Sequence, residues 1–134
     1  MSPCTLYNMF DINRALIIVR PKQRFFEWAQ TVAYEEELTL EDVREDPTAY
    51  LIPEPWDKDE QAAILTWCYE RVFEAELESW YTDEGAWPQH RDLKMFLEWF
   101  EVEFHNMVFD LLDEPIEVVD FGLEDDTDAG SNGN

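Results

Sequence analysis

Apolar and polar positions alternate along this chain with two different periods. Arg14-Ala-Leu-Ile-Ile-Val-Arg20 is a continuous β-branched run closed by charge at both ends. That pattern predicts a strand buried on both faces. Pro21 then ends the strand and fits the first turn of a helix, where its missing N–H costs nothing. Phe25, Trp28, Ala29 and Val32 follow at helical spacing and give one apolar face. Glu35-Glu36-Glu37 breaks the period, and Thr39 with Asp42 forms a capping-box signature that opens a short helical turn up to Pro47.

Thr48-Ala-Tyr-Leu-Ile52 predicts a second strand, stopped by Pro53 and Pro55. Two apolar strands joined through helix suggest a right-handed βαβ unit with parallel strands. Asp57 and Glu60 cap a long helix expected from about Asp59 to Trp80. Ile64, Leu65, Cys68, Val72 and Ala75 are its expected inner stripe, and Glu70, Glu74 and Glu78 its outer one. Tyr81 to Pro88 is a loop punctuated by Gly85 and Pro88. Leu93, Phe96, Leu97 and Phe100 mark a third helix with His90 in its first turn. Phe104 to Leu112 looks extended and, after Asp113-Glu114-Pro115, forms a hairpin with Ile116 to Phe121. The expected fold is α+β: a small mixed sheet in the order β-α-β-α-α-β-β, with helices packed mainly on one face. Residues 1–121 make one domain, and 122–134 a disordered tail without an apolar anchor.

Composition changes this picture through charge. The 134 residues carry 32 Asp+Glu against 9 Lys+Arg, a net charge of −23. Hydrophobic residues still make 46% of the chain and aromatics 15%, too much for an acidic disordered segment. The imbalance is uneven. Residues 1–26 hold four basic residues and one acidic, and the remainder holds five basic and 31 acidic, a balance of −26. Direct nucleic-acid binding through phosphate neutralisation is therefore excluded. No apolar run approaches the about 20 residues of a membrane span, and no secretory leader is read at the N-terminus. Cys4 and Cys68 form no CxxC or ladder, so they read as reduced thiols of a cytoplasmic protein.

Most catalytic chemistries find no footing. Cys68 falls on an apolar stripe among carboxylates, which opposes thiolate formation. His90 and His105 are 15 residues apart, and His105 and Asp110 on one strand point to opposite faces. The Glu124–Gly130 run fails as a calcium loop, because position 6 is Ala129 when counting from Glu124. With four glycines there is neither a GxGxxG nor a Walker pattern. No metal, cofactor or catalytic residue is assigned.

Two binding readings remain. Glu70, Glu74 and Glu78 repeat every fourth residue, about 6 Å apart along one helix face. Such a row imitates a phosphate backbone and suits a basic groove on another protein, with Trp80 and Trp87 as interface anchors. The expectation is a non-enzymatic interaction protein with a basic protein partner, of inhibitor, immunity or nucleic-acid-mimic type. A solvated face that serves solubility explains the same row. The alternative function is a small enzyme or anion-ligand binder at the corner formed by Arg20, Lys22 and Arg24, with His105 nearby.

Overall fold

The computed structural model describes residues 10–119. The chain divides into two units, Asp11–Phe109 and the pair of terminal segments Met1–Phe10 and Asp110–Asn134. Helices and strands follow the order β1 (Phe10–Asp11), β2 (Ala15–Pro21), α1 (Gln23–Val32), α2 (Leu40–Arg44), β3 (Thr48–Ile52), α3 (Lys58–Trp80), α4 (Leu93–Trp99), β4 (Phe100–His105) and β5 (Phe109–Asp110). A 3₁₀ turn, Glu84–Ala86, lies between α3 and α4. The fold is α+β: the described residues form four helices and a three-stranded sheet in the order β3-β2-β4, besides a two-stranded β1-β5 ladder.

Both ladders of the main sheet are antiparallel, so the parallel βαβ pairing and the mixed sheet are corrected. Val19 pairs with Thr48 and Ala15 with Ile52, while Pro21 pairs with Phe100 and Leu16 with His105. The connection from β2 to β3 explains the direction. A single helical crossing returns a chain to the start of the first strand and gives parallel neighbours. Here two helices, α1 and α2, separate the strands, and Thr48 comes to lie opposite Val19, so β3 starts beside the end of β2.

Alternation along β2 settles its faces. Ala15, Ile17, Val19 and Pro21 are buried, whereas Leu16, Ile18 and Arg20 are half-buried. Only one face meets the main core, not two as the unbroken apolar run suggested. Pro21 ends β2 and does not start α1; Lys22 is the N-cap residue, and its N–H donates to the Trp99 carbonyl (2.8 Å). Strand β4 begins at Phe100, inside the stretch expected to be helical. The reason is legible in Phe100-Glu-Val-Glu-Phe-His105, a strict period-2 alternation. The expected hairpin is corrected too: Phe109–Asp110 is a two-residue strand, and 116–119 carry no ladder.

The core is aromatic. Phe73 of α3 is fully buried, with its ring centroid 5.7 Å from Phe96, 5.7 Å from Trp99 and 5.5 Å from Phe100. Phe25 of α1 joins through Phe100 (5.3 Å). Around these rings lie Ala15, Ile17, Val19, Ala29, Cys68, Val72 and Leu77. These tilted and edge-on contacts add to simple area burial.

The caps hold as local chemistry predicts. The Thr39 hydroxyl accepts from Asp42 N–H, and Asp42 accepts from Thr39 N–H, completing the capping box of α2. Thr39→Ala is expected to cost about 1 kcal/mol in chemical unfolding, as caps generally do. A cost indistinguishable from zero would mean that α2 does not depend on its cap. Asp57 caps α3 by accepting from Glu60 N–H (2.9 Å), and Asp92 caps α4 by accepting from Met95 N–H (2.8 Å). His90 therefore precedes α4 rather than lying in its first turn, and its φ of 58° is left-handed.

Candidate functional site: an acidic helical face

Helix α3 places the predicted row in an unequal way. Glu70 and Glu78 are exposed and form no ion pair among the described residues. Glu74 is half-buried, and its Oε2 accepts from Arg91 Nη2 at 2.7 Å. The Arg91 guanidinium also donates to the Pro88 carbonyl (2.9 Å) and lies 5.8 Å from the Trp87 ring and 6.0 Å from that of Phe73. Glu74 thus anchors the loop before α4, and the free carboxylates of the row are Glu70 and Glu78.

The inner side of α3 departs from the expected stripe. Cys68 and Val72 are buried and Ile64 and Leu65 half-buried, but Ala75 is exposed. Phe73, Glu76 and Leu77 complete the buried face. Glu76 is 8% exposed, and its Oε2 accepts from the Tyr50 hydroxyl of β3 at 2.6 Å. Burial pushes the Glu76 carboxyl above the usual carboxylate range, and the bonds from Tyr50 and Thr48 pull it partly back. Burial, and then the bond to Glu76, hold the Tyr50 hydroxyl in its protonated, donating form. The sequence signal was there: from Val72 the helical step is three or four residues, and four lands on Glu76.

The tryptophans sort by the same rule. Trp87 is buried and donates its indole N–H to the Tyr81 carbonyl (2.7 Å). Trp80 is half-buried and donates to the Ala29 carbonyl (3.2 Å). Both stand in the core or at its rim. The projecting tryptophans are Trp56, 89% exposed, and Trp67, 60% exposed.

The basic corner is largely engaged within the protein. Arg20 Nη1 donates to Glu103 Oε1 (2.7 Å), and Lys22 Nζ donates to the Leu97 carbonyl (2.9 Å). Arg24 is exposed. The Arg20 guanidinium, and then His105 Nε2 at 3.5 Å, hold the Glu103 carboxyl below its ordinary range. The structure therefore joins His105 to Arg20 through Glu103, on the sheet face opposite the core. Arg44 adds a further tie there, bridging the Pro21 carbonyl (2.9 Å) and Glu101.

Other sequence candidates find defined places. Cys68 is 4% exposed, and burial pushes its thiol up, away from thiolate. Cys4 and the acidic Glu124–Gly130 run lie outside the described residues. Among the described residues no group of three or more His, Cys, Asp or Glu side chains has metal-ligand geometry. No helix among them is long and apolar enough to cross a membrane.

Fold and surface together define an α+β protein whose longest described helix exposes the carboxylates of Glu70 and Glu78, with Arg71 beside them. No protein-family model, curated protein or solved structure matches the chain.

Proposed function

We propose that this protein is a non-enzymatic interaction module that binds a basic protein partner through the exposed acidic face of α3, in the manner of an inhibitor, immunity or nucleic-acid-mimic protein. The observation that carries this reading is the surplus of unneutralised carboxylate. Four ion pairs, Arg20–Glu103, Arg44–Glu101, Arg91–Glu74 and Lys94–Glu98, engage four of the nine basic residues, yet Glu70 and Glu78 stay free on one helix face. Glu70 and Glu78 are eight residues, about 12 Å, apart along the helix, and Arg91 already engages the Glu74 between them. A cationic partner is steered to the two free carboxylates by the field of the whole molecule.

The test is capture from native lysate on the immobilised protein at low ionic strength, followed by a salt gradient. A single basic protein released over a narrow range of salt supports the reading. Glu70→Lys combined with Glu78→Lys should weaken that capture about tenfold or more, with the unfolding midpoint unchanged. Glu74→Lys is the poorer probe, because it also breaks the bond to Arg91. Release indifferent to salt, or a broad set of cationic proteins, would leave the face with a solubilising role alone.

A further inference from the structure

The free edge of β3 carries an inference of its own, beside the exposed face of α3 on which Trp67 and Arg71 lie next to Glu70 and Glu78. In the order β3-β2-β4 both outer strands are edges, and natural sheets protect edges with charge. Strand β4 has that protection in Glu101 and Glu103. Strand β3, Thr48-Ala-Tyr-Leu-Ile52, has no charged residue at all. Beside it, between β3 and α3, lies an open groove of about 360 Å³ lined by Tyr50, Leu51, Trp67, Cys68, Arg71 and Ala75. Leu51 is 52% exposed and Trp67 60%. The Arg71 guanidinium lies 4.6 Å from the Trp67 ring centroid and has no ion pair among the described residues.

An unprotected edge strand beside a groove walled by a helix is the geometry that accepts an added strand. In this acidic chain a guanidinium held over an aromatic ring favours a carboxylate on whatever enters. The chain itself contains such a strand. Ile116-Glu-Val-Val119 is β-branched and pairs with no other strand, and Val118 is 96% exposed. With Glu117 and Val119 turned toward α3, the carboxylate would meet Arg71, and Val119 would meet Cys68 or Ala75 according to the direction of the added strand. Ile116 and Val118 then lie on the face of Leu51.

We propose that the edge of β3 is a self-recognition site that takes the Ile116–Val119 segment of a second copy of this chain as an added strand, with Glu117 paired to Arg71. Two copies at −23 each repel one another, and this repulsion outweighs the single new ion pair at long range. Self-association therefore strengthens as salt rises. The acidic-face partner shows the opposite salt dependence, so either reading can fail without the other.

Sedimentation analysis of the full chain at rising concentration, in low and high salt, is the test. The expected result is a monomer–dimer equilibrium favoured by salt. Arg71→Glu or Glu117→Arg alone should weaken it about tenfold or more, and both together should restore it. Ile116→Asp with Val118→Asp should give a monomer, which then binds a synthetic peptide of residues 114–121. Circular dichroism should show every variant folded, since the exchanged residues are exposed. A full chain that stays monomeric throughout, or a dimer that the Ile116/Val118 variant leaves intact, overturns the proposal. Failure of the double charge exchange to restore association overturns the register. Peptide binding by the variant beside a strictly monomeric wild type would assign the groove to the chain's own segment and overturn the second copy.

Discussion

Replacing Phe73 by alanine is expected to cost about 3–5 kcal/mol in urea or thermal unfolding, the range for deleting a large buried aromatic. Phe73 is fully buried and packs against Phe96, Trp99 and Phe100, which come from α4 and the start of β4. Phe96 and Phe100 also pack on one another, with ring centroids 5.3 Å apart, which opposes their moving into the space. The guanidinium of Arg91, which holds Glu74, lies 6.0 Å from the same ring, so the loss reaches the anchor of the loop before α4. Against a total stability of about 5–15 kcal/mol, that loss is a large part of the margin that keeps the chain folded. Phe73→Leu keeps most of the volume and should lose far less. An alanine cost below about 1 kcal/mol would contradict the packing described for this cluster.

Removing the Tyr50 hydroxyl should be the second large effect. Tyr50→Phe removes the 2.6 Å donor to the buried Glu76 carboxyl and leaves it only the bond from Thr48; losing a partner of a buried polar group costs about 1–3 kcal/mol, more when charged. The sign with pH follows from the raised native carboxyl. Because the folded protein holds the Glu76 proton more tightly than the unfolded chain, this group favours folding fully below the ordinary carboxylate range. That contribution is lost as pH rises through the raised native value. The cost of Tyr50→Phe should therefore be smaller in mild acid and reach its full size near neutral pH. Glu76→Gln keeps an acceptor for Tyr50 and has no charge to bury, so its stability relative to wild type should rise over the same window and then level off. Urea unfolding at a series of pH values reads both curves. If the Glu76→Gln and wild-type profiles ran parallel, Glu76 would not be titrating in a buried site.

The candidate site was only partly legible in the sequence. Spacing of four residues puts Glu70, Glu74 and Glu78 on one stripe, and that much is helical geometry. That Glu74 is engaged by Arg91 could not be read, because the pair closes across 17 residues and a loop. The tryptophans show the same limit. Trp80 and Trp87 flank a loop and look like surface anchors, yet their indole N–H groups bond carbonyls brought to them by the fold. Trp67, on the other hand, lies one residue away from the buried Cys68, and helical phase alone turns it outward.

What the sequence determined by itself is local: where elements start, where they stop and which period they follow. The Thr39–Asp42 box, the Asp57 cap, the span of α3 and strand Thr48–Ile52 are all set by interactions within a few residues. Tertiary structure decided the rest. Strand direction depended on how the α1–α2 connection returned the chain, which no residue of β2 or β3 encodes. Helical phase turned Glu76 inward, but its donor, the Tyr50 hydroxyl, comes from 26 residues away and was brought there by the packing of β3 beside α3. The alternation from Phe100 to Phe104 marks β4 in the sequence, but its place beside β2, with Phe100 opposite Pro21 and Val102 opposite Val19, was supplied by the fold. Local interactions are worth tenths to about one kcal/mol and fix the elements. Burial of whole side chains is worth more per residue and chooses among the arrangements those elements permit.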